Sequence, residues 1–201
     1  MIARIALFLF ILTPEFSYAI GGISQLLPPT TAQNDTSLLG GTTWVNSQNI
    51  LAEDATLSTA TMVGNVTTRY VNSSTYNFAI PLTSQITGIV VEVKKMKTLG
   101  TVKDNSVVVY DSAGNPAAND LADLSTPWPS SLAWVSYGSS TNLWGNSWKP
   151  SDINSSNFGF GIQAYDGGTD ATAEIDAVRM TVYYLPPTQI YNGKIHSGII
   201  R

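Results

Sequence analysis

The sequence predicts an all-β protein: an antiparallel β-sandwich, jelly-roll-like, with about eight strands and with extended N- and C-terminal arms. Short segments rich in Val, Ile, Thr and aromatic residues recur along the chain, separated by Gly, Pro, Asn and Asp. No segment shows the apolar period of an amphipathic helix. In the stretch from Tyr137 to Tyr184, a loop with two tryptophans precedes a short alternating strand and a long strand that ends in two tyrosines.

The apolar N-terminal segment, residues 1–19, has two interpretations. Arg4 precedes the apolar run Ile5–Leu12, and residues 17–19 read Ser-Tyr-Ala, the small–x–small form of a secretory cleavage site. The alternative is a retained anchor that a neighbouring subunit buries. The run is shorter than the about 20 residues that a spanning helix needs, so no transmembrane span is expected.

The rest of the chain divides into three parts. Residues 20–43 contain Gly-Gly and Pro-Pro pairs without any period, which indicates a linker or arm. The sandwich domain is predicted over residues 44–185. Leu185-Pro186-Pro187 closes it, and residues 186–201 form a C-terminal tail.

Eight segments of the domain have strand character. They combine β-branched or aromatic residues with alternation, and turn residues end several of them. The predicted strands are Ala55–Met62, Val66–Val71, Tyr76–Ile80, Ile86–Met96, Ser106–Tyr110, Leu132–Val135, Asn157–Ala164 and Ala171–Tyr184.

The first five strands rest on simple patterns. The first two are rich in Thr and Val, and the third alternates aromatic and apolar residues until Pro81 ends it. The fourth is the clearest, because its apolar residues at 89, 91 and 93 share one face. The fifth contains the buried sequence Val-Val-Val-Tyr, and residues 111–116 after it form a turn. One helical turn is expected at 119–124.

The last strands carry two sharper expectations. Gly159 and Gly161 occupy outer positions of the seventh strand, which indicates that another layer or backbone approaches closely there. In the eighth strand the apolar parity changes, so a β-bulge is predicted near Asp176 or Ala177.

Composition excludes several classes of function. Charged residues make up 12% of the chain, about half of the usual share of roughly 25%, and Ser, Thr, Asn and Gly replace them. The net charge is −4, without the basic footprint of a nucleic-acid-binding protein, so no nucleic-acid partner is expected. The chain has no cysteine, which removes disulfides, thiolate nucleophiles and cysteine-based zinc sites.

Between Trp44 and Tyr184 the chain resembles a module of phage tail and fibre-like structural proteins and of large secreted bacterial surface proteins. The residues that carry the resemblance are Ile80-Pro81, Ile86–Val93, Asp104–Val107, Tyr137-Gly138, Leu143–Gly145, Trp148, Phe158–Phe160 and Asp176–Tyr184. The resemblance implies a structural or adhesive building block and brings no catalytic residues with it, so the chain is not expected to be an enzyme.

Candidate ligand or interface residues cluster in the second half of the domain. One interpretation is a sugar-binding platform of aromatic faces and polar neighbours. The favoured alternative is that the rings plug the end of the sandwich or an interface between subunits. The candidates are Trp128, Trp134, Tyr137, Asn142, Trp144 and Trp148, and Trp144 is the one expected to be exposed.

Metal and enzymatic sites are not favoured. Asp166 and Asp170 bracket an Asp-Gly-Gly-Thr-Asp loop that is a weak calcium candidate, but its spacing departs from the EF-hand pattern and an ordinary hairpin turn is the favoured reading. No metal and no cofactor are expected. No two carboxylates are placed together as in a glycosidase, and the single His196 lies outside the domain.

Taken together, these patterns predict a non-enzymatic structural protein of a bacteriophage virion: a decoration, fibre or collar-type subunit. The expected partners are other virion subunits, including copies of the same chain, with a cell-surface glycan as a further candidate. The alternative is a secreted bacterial surface or carbohydrate-binding β-sandwich module, which is extracellular if residues 1–19 are cleaved.

Overall fold

Two antiparallel sheets pack face to face around one core in the computed structural model, which describes residues 22–35, 41–187, 189–191 and 194–196. Sheet A contains β1 (Ile23–Leu27), β3 (Ser58–Met62), β5 (Gln85–Leu99), β7 (Ala133–Ser139) and β9 (Ala171–Leu185). Sheet B contains β2 (Thr31–Asn34), β4 (Val71–Ser74), β6 (Val102–Tyr110) and β8 (Gly159–Asp166). The predicted segment 1–19 lies outside the described residues.

Every connection from β1 to β9 crosses from one sheet to the other. In sheet A the order is β1-β9-β5-β7, with β3 also paired to β9, and in sheet B the order is β2-β4-β8-β6. Neighbours in each sheet are therefore distant in sequence, as in jelly rolls. The predicted all-β antiparallel sandwich is confirmed, with nine strands in the two sheets. A further hairpin pairs β10 (Gln189–Tyr191) with β11 (Lys194–His196).

The predicted bulge in the last strand is confirmed at Asp176. Lys94 pairs with Ala177 and Lys95 pairs with Ile175, which leaves Asp176 as the extra residue of β9. Its carboxylate is buried, accepts a 2.8 Å hydrogen bond from the Ala55 amide and lies 2.9 Å from Lys94 Nζ. The bulge thus ties the 51–55 loop to sheet A.

Part of the predicted arm belongs to the sandwich. Within residues 20–43, β1 pairs with the end of β9, and β2 pairs with β4. Both strands lie at sheet edges, where no alternating core face is required. Their sequence therefore shows no strand pattern.

The prediction of a strand at Tyr76–Ile80 is wrong. Thr75 and Asn77 have positive φ angles of 57° and 58°, which interrupt any ladder. Instead, the side chain of Asn154 donates to the Ile80 carbonyl at 2.8 Å and accepts from the Ile80 amide at 2.9 Å. Tyr76, Phe78 and Ile80 are nevertheless all buried, as their alternation along the segment indicates.

The predicted helical turn at 119–124 is also wrong. This segment is irregular and runs beside the edge of β6, where the Ala117 and Leu121 amides donate to the Val109 and Val107 carbonyls. The one α-helix of the described residues is α1 (Pro150–Ile153), which has Pro at its first position. No helix in the described part of the chain has the length and apolar character needed to span a bilayer.

Candidate functional site

The predicted site residues separate into three places in the structure. Trp144, Trp148 and Asn142 lie in the loop after β7, at one end of the sandwich. Trp128 and Tyr137 meet in a buried polar cluster between the sheets. Trp134 lies on the outer face of sheet A. The aromatic candidates therefore do not form a single platform.

The loop at the end of the sandwich plugs the core. Trp144 is fully buried, at 0% exposure, so the expectation that it is the exposed tryptophan is wrong. Its φ of 55° turns the indole inward, and Nε1–H donates to the Ile89 carbonyl at 3.0 Å. Asn142 stabilises this turn by accepting from the Trp144 amide at 2.7 Å. Gly138 makes room, because a Cβ there would stand 3.0 Å from Trp144 Nε1.

Trp148 completes the plug. Its ring is 8% exposed and packs edge-to-face on Phe158 with 5.5 Å between the ring centroids. Its Nε1–H donates to the Leu143 carbonyl at 2.8 Å. The buried rings carry apolar area, while each indole N–H is satisfied by a backbone carbonyl, as buried Trp requires.

A buried ion pair joins the two sheets. Lys95 on β5 donates to Asp104 on β6 at 2.6 Å and also donates to the Tyr137 hydroxyl on β7. Tyr137 in turn donates to Asp104 at 2.8 Å, and so does Trp128 Nε1–H at 2.7 Å. The Asp123 amide supplies a fourth donor to the Asp104 carboxylate at 3.1 Å. We call these five residues the Asp104 cluster.

The Asp104 cluster resembles catalytic machinery in its residue types, but its groups bond one another. Burial lowers the pKa of the Lys95 ammonium, although the Asp104 charge opposes the shift. Burial likewise raises the pKa of Tyr137, so its hydroxyl stays protonated and donates. The Lys95 ammonium also lies 4.3 Å from the Trp128 ring centroid, a cation–π contact. The arrangement stabilises the junction between the sheets.

A hollow of about 280 Å³ opens beside the cluster. Its wall is mostly apolar, from Pro127, Trp128, Pro129, Ala133 and Val135. Of its polar lining residues, Lys95 and Asp104 are engaged within the cluster, and the Asp123 carboxylate accepts from Ser125 and Thr126.

Trp134 occupies a different environment on the outer face of sheet A. The Arg179 guanidinium lies 4.1 Å from its ring centroid and forms a bidentate pair with Glu92, at 2.8 and 3.0 Å. Register places these side chains on one face, because Glu92 pairs with Arg179 and Lys94 pairs with Trp134. Arg179 therefore pairs with a residue of the neighbouring strand β5.

The loop considered for calcium is the turn between β8 and β9. Asp166 is buried at the end of β8, and its Oδ1 accepts from the Gly168 amide at 3.1 Å, whereas Asp170 is exposed. Within the part of the chain that the structure describes, no three acidic or histidine side chains gather as metal ligands do. The two aspartates belong to a connection that crosses from sheet B to sheet A, so the prediction of a hairpin turn is wrong.

A groove of about 340 Å³ on the outer face of sheet B was missed by the sequence reasoning. We call it the sheet B groove. Its wall includes Gln33, Asp35, Asn72, Ser74, Tyr110 and Asn157. The outer glycines of β8 were the one sequence feature that indicated this region. The close approach expected there is confirmed, because a Cβ at Gly161 would stand 2.8 Å from the Tyr110 hydroxyl oxygen.

These features define a β-sandwich protein with one end closed by tryptophans, a buried hydrogen-bonded cluster between the sheets, and two outer sheet faces. No family model matches the chain, and no curated protein sequence matches it. Among solved structures, it is similar to the enzymatically active domain of tailspike protein 4 of bacteriophage CBA120, with 9% sequence identity and a TM-score of 0.35. The similarity covers 81% of this chain and 19% of that chain. It assigns neither a family nor an activity.

Proposed function

We propose that this protein is a non-enzymatic structural subunit of a bacteriophage virion and that it acts through contacts between copies of itself and with other virion subunits. The observation that carries the proposal is the outer face of sheet A, around Trp134. The sequence resemblance to phage tail and fibre-like modules and the weakly charged, polar composition support the same reading.

The outer face of sheet A has the residue types of an interface. Trp134, Arg179 and Tyr183 are half-buried on this face, and Leu26 of the edge strand β1 is 49% exposed beside Thr181. Trp, Tyr and Arg are enriched among residues that dominate binding energy. The face thus combines aromatic anchors with a continuous sheet surface that ends at an edge strand.

A second copy of the chain is the occupant that we propose for this face. Arg179 is already paired with Glu92, and Lys94 with Glu53 and Asp176. These two cations offset all but one of the three carboxylates, so this face adds little like-charge repulsion when two copies meet, even though the chain carries a net charge of −4. The same proposal includes a symmetric trimer of this chain, as in a fibre, as one form of the homo-oligomer.

Trp134→Ala is expected to weaken self-association by at least about 30-fold, since central interface tryptophans contribute about 2 kcal/mol or more. Sedimentation velocity across a concentration series measures the change. The matched control is Leu82→Ala, which truncates a loop side chain that is 73% exposed. A wild-type chain that stays monomeric at micromolar concentration, or a Trp134→Ala variant that associates as the wild type does, contradicts a self-association face on sheet A.

Mass spectrometry of purified phage particles tests the virion assignment. We expect peptides of this chain in the particles, and their absence would remove the assignment. The exported alternative rests on the signal-like residues 1–19, and N-terminal sequencing of the mature protein separates the two: a start at Ile20 supports export, and a start at Met1 supports assembly without cleavage.

A further inference from the structure

The sheet B groove lies along a row of polar side chains, next to a position of β8 that has no side chain. Register aligns Gln33 on β2, Asn72 on β4 and Gly161 on β8 across the sheet. Phe160 and Ile162 point into the core, so Gly161 between them points outward. With no side chain at this position, Tyr110 from β6 leans across β8 toward Asn72, since a Cβ at Gly161 would stand within 2.8 Å of both.

The Asn72 carboxamide is the part of the groove wall whose hydrogen bonding indicates a ligand. Its Oδ1 atom is buried and has no hydrogen-bond partner among the described residues. Buried polar atoms in proteins are nearly always paired, and leaving one unpaired costs about 1–3 kcal/mol. Because Asn72 is partly exposed and lines the groove, a turn of its carboxamide toward the groove brings this oxygen within reach of a ligand donor.

The other polar groups of the wall are mainly uncharged. Gln33 and Asn157 carry amides and Ser74 carries a hydroxyl, whereas Asp35 is the one acidic residue and no Lys or Arg lines the groove among the described residues. Burial raises the pKa of Tyr110, so its hydroxyl stays neutral. A wall without cations disfavours phosphate, sulfate and carboxylate ligands.

The size of the groove limits the ligand. At about 340 Å³ it lies at the lower end of the range of about 300–1,000 Å³ for small-molecule sites. It is polar, which disfavours a lipid or another wholly apolar ligand. A short ligand with many uncharged hydrogen-bonding groups matches both the volume and the wall.

We propose that the sheet B groove binds a neutral saccharide, presented as a short terminal unit of a surface glycan. Sugar hydroxyls donate and accept at once, so one donates to Asn72 Oδ1 once the carboxamide has turned toward the groove, while others accept from amide groups of the wall. The C–H groups of the sugar ring pack against the Tyr110 ring. This site is separate from the predicted tryptophan platform, whose members are mostly buried, and it does not depend on the sheet A interface.

Binding of the full chain to a microarray of neutral and acidic mono- to tetrasaccharides tests the proposal, followed by calorimetric titration with the strongest hit. We expect saturable binding of a neutral glycan. Asn72→Ala and Tyr110→Ala are each expected to reduce its affinity about tenfold or more, through loss of one hydrogen bond or of the aromatic surface. Gly161→Ala is expected to reduce it as well by displacing both side chains.

The controls separate groove binding from unfolding and from other surfaces. Leu82→Ala truncates an exposed loop side chain that does not line the groove and is expected to leave the affinity unchanged. Gln33→Ala lies on the edge strand β2 and serves as the groove variant if truncation of Tyr110 prevents folding. No bound glycan, binding of acidic glycans alone, or neutral-glycan binding that survives both Asn72→Ala and Gln33→Ala would overturn the proposal.

Discussion

Asp104→Ala is expected to lower the free energy of unfolding by about 3–5 kcal/mol, since removing one partner of a buried ion pair leaves an uncompensated charge. Asp104 is 3% exposed and Lys95 is 2% exposed, so water that enters from the neighbouring hollow compensates only in part for the lost carboxylate. Three other donors, from Tyr137, Trp128 and the Asp123 amide, lose their acceptor at the same time. Chemical denaturation monitored by tryptophan fluorescence measures the change.

A double-mutant cycle identifies the charge as the cause. Lys95→Met removes the ammonium, so adding it to Asp104→Ala is expected to cost less than the sum of the single changes, with a coupling of about 1–3 kcal/mol. Asp170→Ala is the control, because this exposed aspartate is expected to change stability by less than about 0.5 kcal/mol. Additive effects of Lys95→Met and Asp104→Ala would show that the two residues do not form a pair.

Trp144→Ala is expected to destabilise the fold by about 3–5 kcal/mol, the usual cost of truncating a fully buried Trp. The change empties the end of the sandwich and removes the donor to the Ile89 carbonyl. Equilibrium denaturation again gives the free energy of unfolding.

Two variants sharpen this test. Trp144→Phe retains most of the ring volume and is expected to cost less than Trp144→Ala. Trp134→Ala truncates the half-buried tryptophan of the sheet A face and is expected to cost less than about 1.5 kcal/mol. Equal losses for Trp134→Ala and Trp144→Ala would contradict the inward position of Trp144.

Core-facing strands were predictable because their side chains alternate. Ile89, Val91 and Val93 on β5 are fully buried as their spacing indicates, and the parity change in β9 predicts a bulge near Asp176 or Ala177, which the structure places at Asp176. These signals depend on local periodicity, which sequence displays directly. The edge strands β1 and β2 carry no such period, so their sequence predicts only a linker or arm.

The site was less predictable, because side-chain direction depended on turn geometry. Gly and polar neighbours around Trp144 suggest exposure, yet its left-handed φ angle and the space beside Gly138 turn the indole inward. The Asp104 cluster joins residues of β5, β6 and β7 with two loop residues, Asp123 and Trp128. No local pattern encodes such a contact between two sheets. The outer glycines of β8 marked the sheet B groove, but not the residues that form its wall.

The crossing pattern of the strands sets the order of events during biosynthesis. In sheet A, β1, β3 and β5 all pair with β9, and none of these three pairs with another of the three. Between Leu27 and the end of β9 the ribosome adds about 160 residues, which takes roughly 8–30 s at about 5–20 residues per second. Throughout that interval the nascent chain carries strands whose central partner does not yet exist. Sheet A is therefore expected to form only after β9 has been synthesised, and until then its earlier strands are open to pairing with other chains.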